Sequence, residues 1–354
     1  MPFSQRQILL LSVTLVSTIV LVFSAFQIIR LVNSKRPISI THNSSPTISP
    51  TPTPDPLRPI SILLMGYGGA GHDGGSLTDS IVLANVVPRN KKISLISIPR
   101  DLWVEYDVKN SEPQYSKINY AYPSGGGQKS KEIVFKVTGI KPDYFFAVDF
   151  AGFSKAIDQI GGIDIKVPHT FVDNFYPLEI GASDPCGKTP EEITALEATL
   201  SGDKLDQQFT CRYEKLVFNI GTTHVDGATA LKYARSRHSE TSGGDFNRGD
   251  RQRQVMVAIR DKFMKLGIIT KLIPIYQTII AHTQTDLTIA DIQKYIFKMA
   301  EYSGYLVESI SLNDKNVLTQ SYTPKGQSIL MPKDGVEQYL GIQSFIASAS
   351  AISH

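Results

Sequence analysis

The sequence predicts an α/β sandwich held behind a membrane-spanning helix, on three observations. Three near-continuous apolar runs, ISILLMG, IVLANVV and KISLISIP, are bounded by turn-forming residues, as strands covered by other layers are. Two further strand-like runs, YFFAVDF and IDIKVP, enclose GFSKAIDQIG, where Phe153, Ile157 and Ile160 recur at helical spacing. Strand, helix, strand in succession points to α/β layers. Ahead of all of these, no charged side chain occurs from Ile8 to Ile29.

That stretch is long enough to cross the roughly 30 Å hydrocarbon layer as one helix. Residues 8–33 are read as a single anchor behind a short tail, 1–7. A cleaved signal peptide is the alternative, but the run is long for one and no small-x-small cleavage site follows. Arg6 precedes the span and Arg30, Lys35 and Arg36 follow it, so the charge rule alone favours the orientation opposite to an external domain. Residues 34–59, with the run SPTISPTPTPDP, hold too few large apolar side chains to bury a core and are expected to form an extended tether. A single folded domain is expected over 60–354, with no internal repeat.

The 354 residues are 42% hydrophobic and 19% charged, ordinary for a globular chain. A net charge of +3 argues for no nucleic-acid partner. The two cysteines, Cys186 and Cys211, sit in one polar, irregular stretch, taken as an insertion around 174–216. They suit a disulfide in an oxidising, extracytoplasmic compartment, two unpaired thiols being the alternative. Helices are expected over HVDGATALKYARSR, NRGDRQRQVMVAIRDKFMKLG and ADIQKYIFKMAEY.

Two glycine motifs mislead. GYGGAG, at Gly66, Gly68 and Gly71, fits the dinucleotide fingerprint, but Gly74 and Gly75 follow where a helix should begin, so a loop is expected. GASDPCGKT has one residue too many for a phosphate-binding P-loop and no strand before it.

Four segments carry acids and arginines suited to a pyrophosphate and its metal. Asp79 opens the second strand, where a carboxylate at the mouth of a sheet would hold Mg2+. Arg100 and Asp101 end the third strand, and strand ends are where such sheets bind ligands. Arg235 and Arg237 are two apart and converge only if the helix ends there. In GDFNRGDRQRQ, the positions of Arg248, Arg251, Gln252, Val255 and Ile259 share one helix face, with Arg253 and Arg260 opposite. A buried arginine is costly without an anion, and its planar fork suits phosphate oxygens. Structural pairing with Asp226, Asp245 or Asp250 is the alternative.

These segments in this order, together with KINYAYPSGG and VDFAGFSKAIDQIGGIDIKV, resemble the LytR-CpsA-Psr family from about Ile60 to Leu266, and more loosely to the end. The resemblance implies an extracytoplasmic three-layer α/β/α sandwich with a central mixed sheet, a groove for a polyprenyl chain, and an arginine-lined mouth for pyrophosphate and Mg2+. It implies a phosphotransferase that moves a glycan from a polyprenyl-pyrophosphate lipid to peptidoglycan or another envelope acceptor. Carried over by motif, Asp79 would bind the metal, while Arg100, Arg235, Arg237, Arg248 and Gln252, with Arg251 on the same face, would hold the pyrophosphate. Asp101 and Asp245 are candidates for orienting arginines or the acceptor. The chain departs from the family at Tyr67 and Gly68, where a further aspartate is usual, so His72 or Asp73 would replace it. Leu77 and Thr78 stand where an arginine usually precedes the metal-binding aspartate. The competing reading is a non-catalytic, membrane-tethered binder or regulator of such lipids.

Overall fold

The three apolar runs form Ile60–Tyr67 (β1), Thr78–Val87 (β2) and Lys92–Ser97 (β3), paired antiparallel in sequence. The GYGGAG loop is thus the connection of a hairpin, with β2 and not a helix after it. Gly69 at φ +84°, Gly71 at +88° and Gly74 at +64° adopt left-handed backbone that a side chain would oppose. The computed structural model describes residues 57–71, 74–109, 112–178, 183–236, 245–265, 272–302 and 304–351. The expected tail, anchor and most of the linker lie outside these. Among the described residues no helix is long and apolar enough to cross a membrane.

A second hairpin, Trp103–Lys109 (β4) and Glu112–Lys117 (β5), leads into the helix Ala121–Thr138 (α1). Tyr144–Asp149 (β6) then runs parallel to β1, and Phe150–Gln159 (α2) follows it. Next come Ile163–Val167 (β7), Phe171–Pro177 (β8), Pro190–Thr199 (α3), Tyr213–Phe218 (β9), Gly221–Val225 (β10) and Gly227–Arg235 (α4). The chain continues through Asp245–Lys265 (α5), Leu272–Ile279 (α6), Thr283–Thr285 (β11), Ile289–Tyr302 (α7) and Leu306–Ser311 (β12). It ends with the hairpin Leu318–Tyr322 (β13) and Ser328–Pro332 (β14), and Leu340–Ala351 (α8).

The central sheet is mixed, in the order β11-β6-β1-β2-β3-β12, with β12 parallel to β3. Its Leu63, Leu83, Ile96 and Phe145 are buried with Val134 and Val137 of α1 and Ile342 and Ile346 of α8. On the other face Ile60, Val82 and Leu95 are buried and Ile62, Leu64, Ala84, Ile93 and Phe146 are half-buried. The strands are thus covered on both faces, the second less completely. An apolar run reports that both faces are apolar, not that both are fully covered. Phe145 and Phe146, being successive, face opposite sides, so only Phe146 belongs to the less covered face.

A second cluster joins α2, the β7–β10 and β8–β9 ladders, α4, α5 and α6 through Ile157, Ile163, Phe171, Phe218, Tyr233, Val255 and Ile275. Asp149 caps α2 by accepting from Gly152 N, and Asp226 caps α4 by accepting from Thr229 N, both donors of a free first turn. Asp226 is thereby a cap and not an arginine partner.

Two elements owe their form to packing. Helix α1 contains Pro123 and three glycines, and it bends at Gly125–Gly126, where Gly126 has φ +64°. A Cβ on Gly127 would lie 2.4 Å from the Phe145 ring, so glycine is what lets helix and sheet close together. The insertion lies between β8 and β9. None of α3 is buried, and a capping box between Thr189 and Glu192 and the Cys186–Cys211 disulfide hold the segment in place of a core.

Candidate active site

Because β2 runs against its neighbours, the start of β2 and the ends of β1, β3, β6 and β12 meet at one edge of the sheet. Asp79 and Ser80 sit there at the start of β2, and Arg100 and Asp101 just past β3. Arg100 Nη1 lies 2.5 Å from Asp79 Oδ1, and its Nε is 3.6 Å from Asp101 Oδ2. Lys117, at the end of β5, reaches Asp101 Oδ1 at 2.5 Å. The two segments are stitched by Ile118 N donating to Leu102 O at 2.7 Å and Thr78 Oγ1 donating to Asn119 O at 3.4 Å. Opposite them, Arg248 and Gln252 from the first turns of α5 complete a cavity with Asp79, Ser97, Arg100 and Asp101. Ser80 Oγ donates to Gln252 Oε1 at 3.0 Å. Five of the sequence-derived candidates thus converge, with Lys117 as a sixth group. Lys117 was not singled out in the sequence because its partner, Asp101, lies in the turn after β3, far from it along the chain.

Helix α5 is covered from more than one side, which corrects the single buried face read from its spacing. Arg248 and Gln252 face the cavity. Arg251, Val255 and Ala258 face the second cluster, with Arg251 only 3% exposed. Gly249 faces the sheet, where a Cβ would lie 3.3 Å from Ser97 Oγ and 3.6 Å from Arg253 Nη1. Arg253, expected on the exposed side, is buried, and pairs with Asp250 one turn back. Arg260 lies farther along and pairs with its neighbour Asp261 at 2.7 Å.

Arg251 is drawn away from the cavity. It donates to Ser236 O and lies 5.0 Å from the Phe171 ring, while Ser236 Oγ donates to the fully buried Asp173 at 2.6 Å. Burial holds the Arg251 guanidinium below its usual range against the raising effect of Tyr233 and Asp173, and burial pushes the Tyr233 phenol up to about 12. This cluster grips the residue after Arg235. Helix α4 does end at Arg235, as the convergence of two arginines requires. Arg235 lies 4.3 Å over the Phe150 ring and 5.9 Å from that of Tyr176, next to the end of β6. Arg237, His72 and Asp73 lie outside the described residues. Asp245 opens α5, and its side chain also lies outside them.

At the same edge Asp149 abuts the β1–β2 loop, its Cβ 3.0 Å from where a Gly69 Cβ would be, and its Oδ2 is 3.0 Å from His282 Nδ1. Burial, and then the Asp149 charge, raise the Tyr67 phenol above its usual range. For a cation, Asp79 is the carboxylate with room. Its side chain is 37% exposed, and it is Oδ1 that pairs with Arg100. One carboxylate plus phosphate oxygens is the way Mg2+ commonly binds, so the donor set fits that ion with a phosphate present. Among the described residues the one cluster of three ligand-type side chains is Asp184, Cys186 and Cys211, whose sulfurs form the disulfide.

The polyisoprenyl-teichoic acid–peptidoglycan teichoic acid transferase TagV of Bacillus subtilis (strain 168) is 31% identical over 239 residues, 66% of this chain and 51% of TagV. The match therefore spans about half the length of that relative. The corresponding transferase TagU of Bacillus cereus is 29% identical over 294 residues, 83% of this chain and 75% of TagU. The crystal structure of B. subtilis TagV superposes with a TM-score of 0.58 at 25% identity, covering 83% of this chain and 97% of that one. The LytR_cpsA_psr family pattern matches residues 27–335. With that span covering most of its length, the chain belongs to the LytR-CpsA-Psr family.

Proposed function

We propose that the chain is a phosphotransferase that moves a glycopolymer from a polyprenyl-pyrophosphate carrier to peptidoglycan or another envelope acceptor. The observation that carries this reading is the meeting of Asp79, Arg100, Asp101, Lys117, Arg248 and Gln252 at one strand-end edge. On the sheet that carries these strand ends, Ile62, Leu64 and Phe146 are apolar and only partly buried, which suits an isoprenoid attached to the charged head. The relatives' transferase names point the same way.

In this reading the guanidiniums of Arg100, Arg248 and Arg235 and the Lys117 ammonium hold the diphosphate oxygens and stabilise charge that grows there. Asp79, with phosphate oxygens, would hold Mg2+, which would supply further neutralisation of charge there. An acceptor hydroxyl attacks the sugar-linked phosphorus, the new P–O bond forms, and the bridging P–O bond breaks. Polyprenyl phosphate leaves with that electron pair, and the hydroxyl proton passes to Asp101 or Asp79. Residues 8–33 anchor the protein in the cell membrane and 34–59 tether the catalytic domain outside it. The Cys186–Cys211 disulfide supports that placement.

The test is mass spectrometry of organic extracts of the purified protein, beside an assay for Mg2+-dependent release of polyprenyl phosphate from a lipid-pyrophosphate donor. Co-purified polyprenyl lipid, and release lost in Arg235→Ala, is the expected result. Lipid bound with no release would replace the transferase by a non-catalytic binder. Full release from Arg235→Ala would remove that arginine from the pyrophosphate site.

A further inference from the structure

The β4–β5 hairpin and helix α1 frame a second cavity, one that the proposed reaction leaves unused. It measures about 320 Å3 and is lined by Glu105, Tyr106 and Asp107 of β4 and by Lys129, Glu132 and Lys136 of α1. In a regular strand Tyr106 would point away from the side that its two neighbours face. Here the ladder skips it, Glu105 pairing with Tyr115 and Asp107 with Gln114, and this bulge turns three successive side chains to one concavity. Glu337 braces the wall: its Oε1 accepts from Glu105 N at 2.9 Å and from Tyr339 Oη at 2.6 Å, and its carboxylate pairs with Lys136. Two further charged contacts are loose, Lys129 to Glu132 at 3.9 Å and Lys136 to Glu105 at 3.8 Å, all in partly exposed side chains. A ligand displaces such pairs at small cost.

The lining selects a class of ligand. Three carboxylates face two ammonium groups, one of which Glu337 already shares, so no excess positive charge is left for a diphosphate. Carboxylate acceptors and ammonium donors beside a tyrosine ring suit a sugar, whose neighbouring hydroxyls both donate and accept and whose C–H face packs on the ring. The tyrosine is held in place: Tyr106 packs on the core cluster of the sheet and meets the Tyr120 ring edge-on, with centroids 5.2 Å apart. Tyr120 is 40% exposed and directly follows Asn119, whose N donates to Arg100 O at 3.4 Å. The two tyrosines therefore lead from the cavity towards the mouth.

We propose that this cavity, together with Tyr120, is a saccharide subsite that holds the acceptor glycan. The inference rests on the transferase reading, in which an acceptor hydroxyl must reach the diphosphate held by Arg100. The contrast in charge keeps the two substrates apart. The anionic donor is drawn to Arg100, Arg248 and Lys117, and the carboxylates of Glu105, Asp107 and Glu132 take hydroxyls of a chain that carries no phosphate. Fixing the acceptor beside the mouth turns an encounter in solution into attack within one complex.

Calorimetric titration of the full chain with a tetrasaccharide of N-acetylglucosamine, and separately with inorganic pyrophosphate, tests this on the wild type, Tyr120→Ala and Glu132→Arg. Glu132 is 71% exposed, so its replacement keeps the fold even if Tyr120→Ala loosens the start of α1. The expected result is that the wild type binds both probes and that each variant loses about 10-fold or more in tetrasaccharide affinity with pyrophosphate binding unchanged. Tetrasaccharide bound equally well by all three proteins would place the sugar elsewhere and overturn the inference. Pyrophosphate bound by a wild type that takes no tetrasaccharide would also overturn it, leaving the donor site standing. Tetrasaccharide binding that the variants lose, in a protein that takes no pyrophosphate, would remove the donor reading and keep the saccharide subsite.

Discussion

Two arginine clusters flank α5 and are built on opposite principles. At the mouth, Arg100 shares charge with Asp79 and Asp101, and Asp101 with Lys117, all in side chains 20% to 37% exposed. Ion pairs so close to water are worth little, so an anion can draw Arg100 or Lys117 away at small cost. Behind the helix, Arg251 is sealed against Phe171, the Ser236 carbonyl and the charge of buried Asp173. Separating those groups would leave a charge stranded in the interior. The first cluster is suited to changing partners, and the second to holding still the segment that follows Arg235.

Substitutions that separate loss of activity from loss of stability put this contrast to the test. The largest effect belongs to Arg100→Ala, for which transfer is expected to fall about 100-fold or more, the scale of losing one preorganised charge contact. Its unfolding free energy in equilibrium urea titrations should change by no more than about 0.5 kcal/mol. If transfer survives, the mouth cluster is not the site. Asp173→Ala should reverse the pattern, costing about 3 kcal/mol of stability in the same urea experiment, because Ser236 and Arg251 lose a buried partner. A cost well below 1 kcal/mol would show that the inner cluster does not depend on the carboxylate.

The smallest effect concerns pH. Burial favours the neutral Tyr233 phenol and raises its folded value to about 12 from 10.0, so the stability it contributes is whole below pH 10 and is lost as the pH climbs towards 12. Tyr233→Phe should flatten part of that fall in urea midpoints taken on either side of pH 10. Only part is expected to go, because Tyr122 and Tyr339 are raised by burial as well. An unchanged slope would mean that folding does not shift the titration of this phenol.

Much of the sheet could be read directly. ISILLMG, IVLANVV and KISLISIP announce β1, β2 and β3 because strands are short and their apolar content is local. The end of α4 at Arg235 was legible in the same way, as was the start of α5 near its arginines. Helix α1 was not, since Pro123 and Gly125–Gly127 oppose a helix and only the nearness of Phe145 explains the last of these glycines. Lys117 escaped notice because nothing near it in sequence pairs with it. Arg253 was placed on the wrong side because helical spacing assumes one covered face, and α5 has a sheet before it and a second cluster behind.

Taken alone, then, the chain's residues determine that the three apolar runs become strands, that α4 and α5 are helices, and that acids and arginines gather near their ends. Those outcomes follow from side-chain periodicity and capping, which act over a few residues. Tertiary structure alone decides that β2 runs against β1 and β3 so that Asp79 meets Arg100, that Lys117 closes on Asp101, and that one sheet face is less completely covered than the other. Each depends on strand order and on what covers each face, and these are set by contacts between residues far apart in the chain.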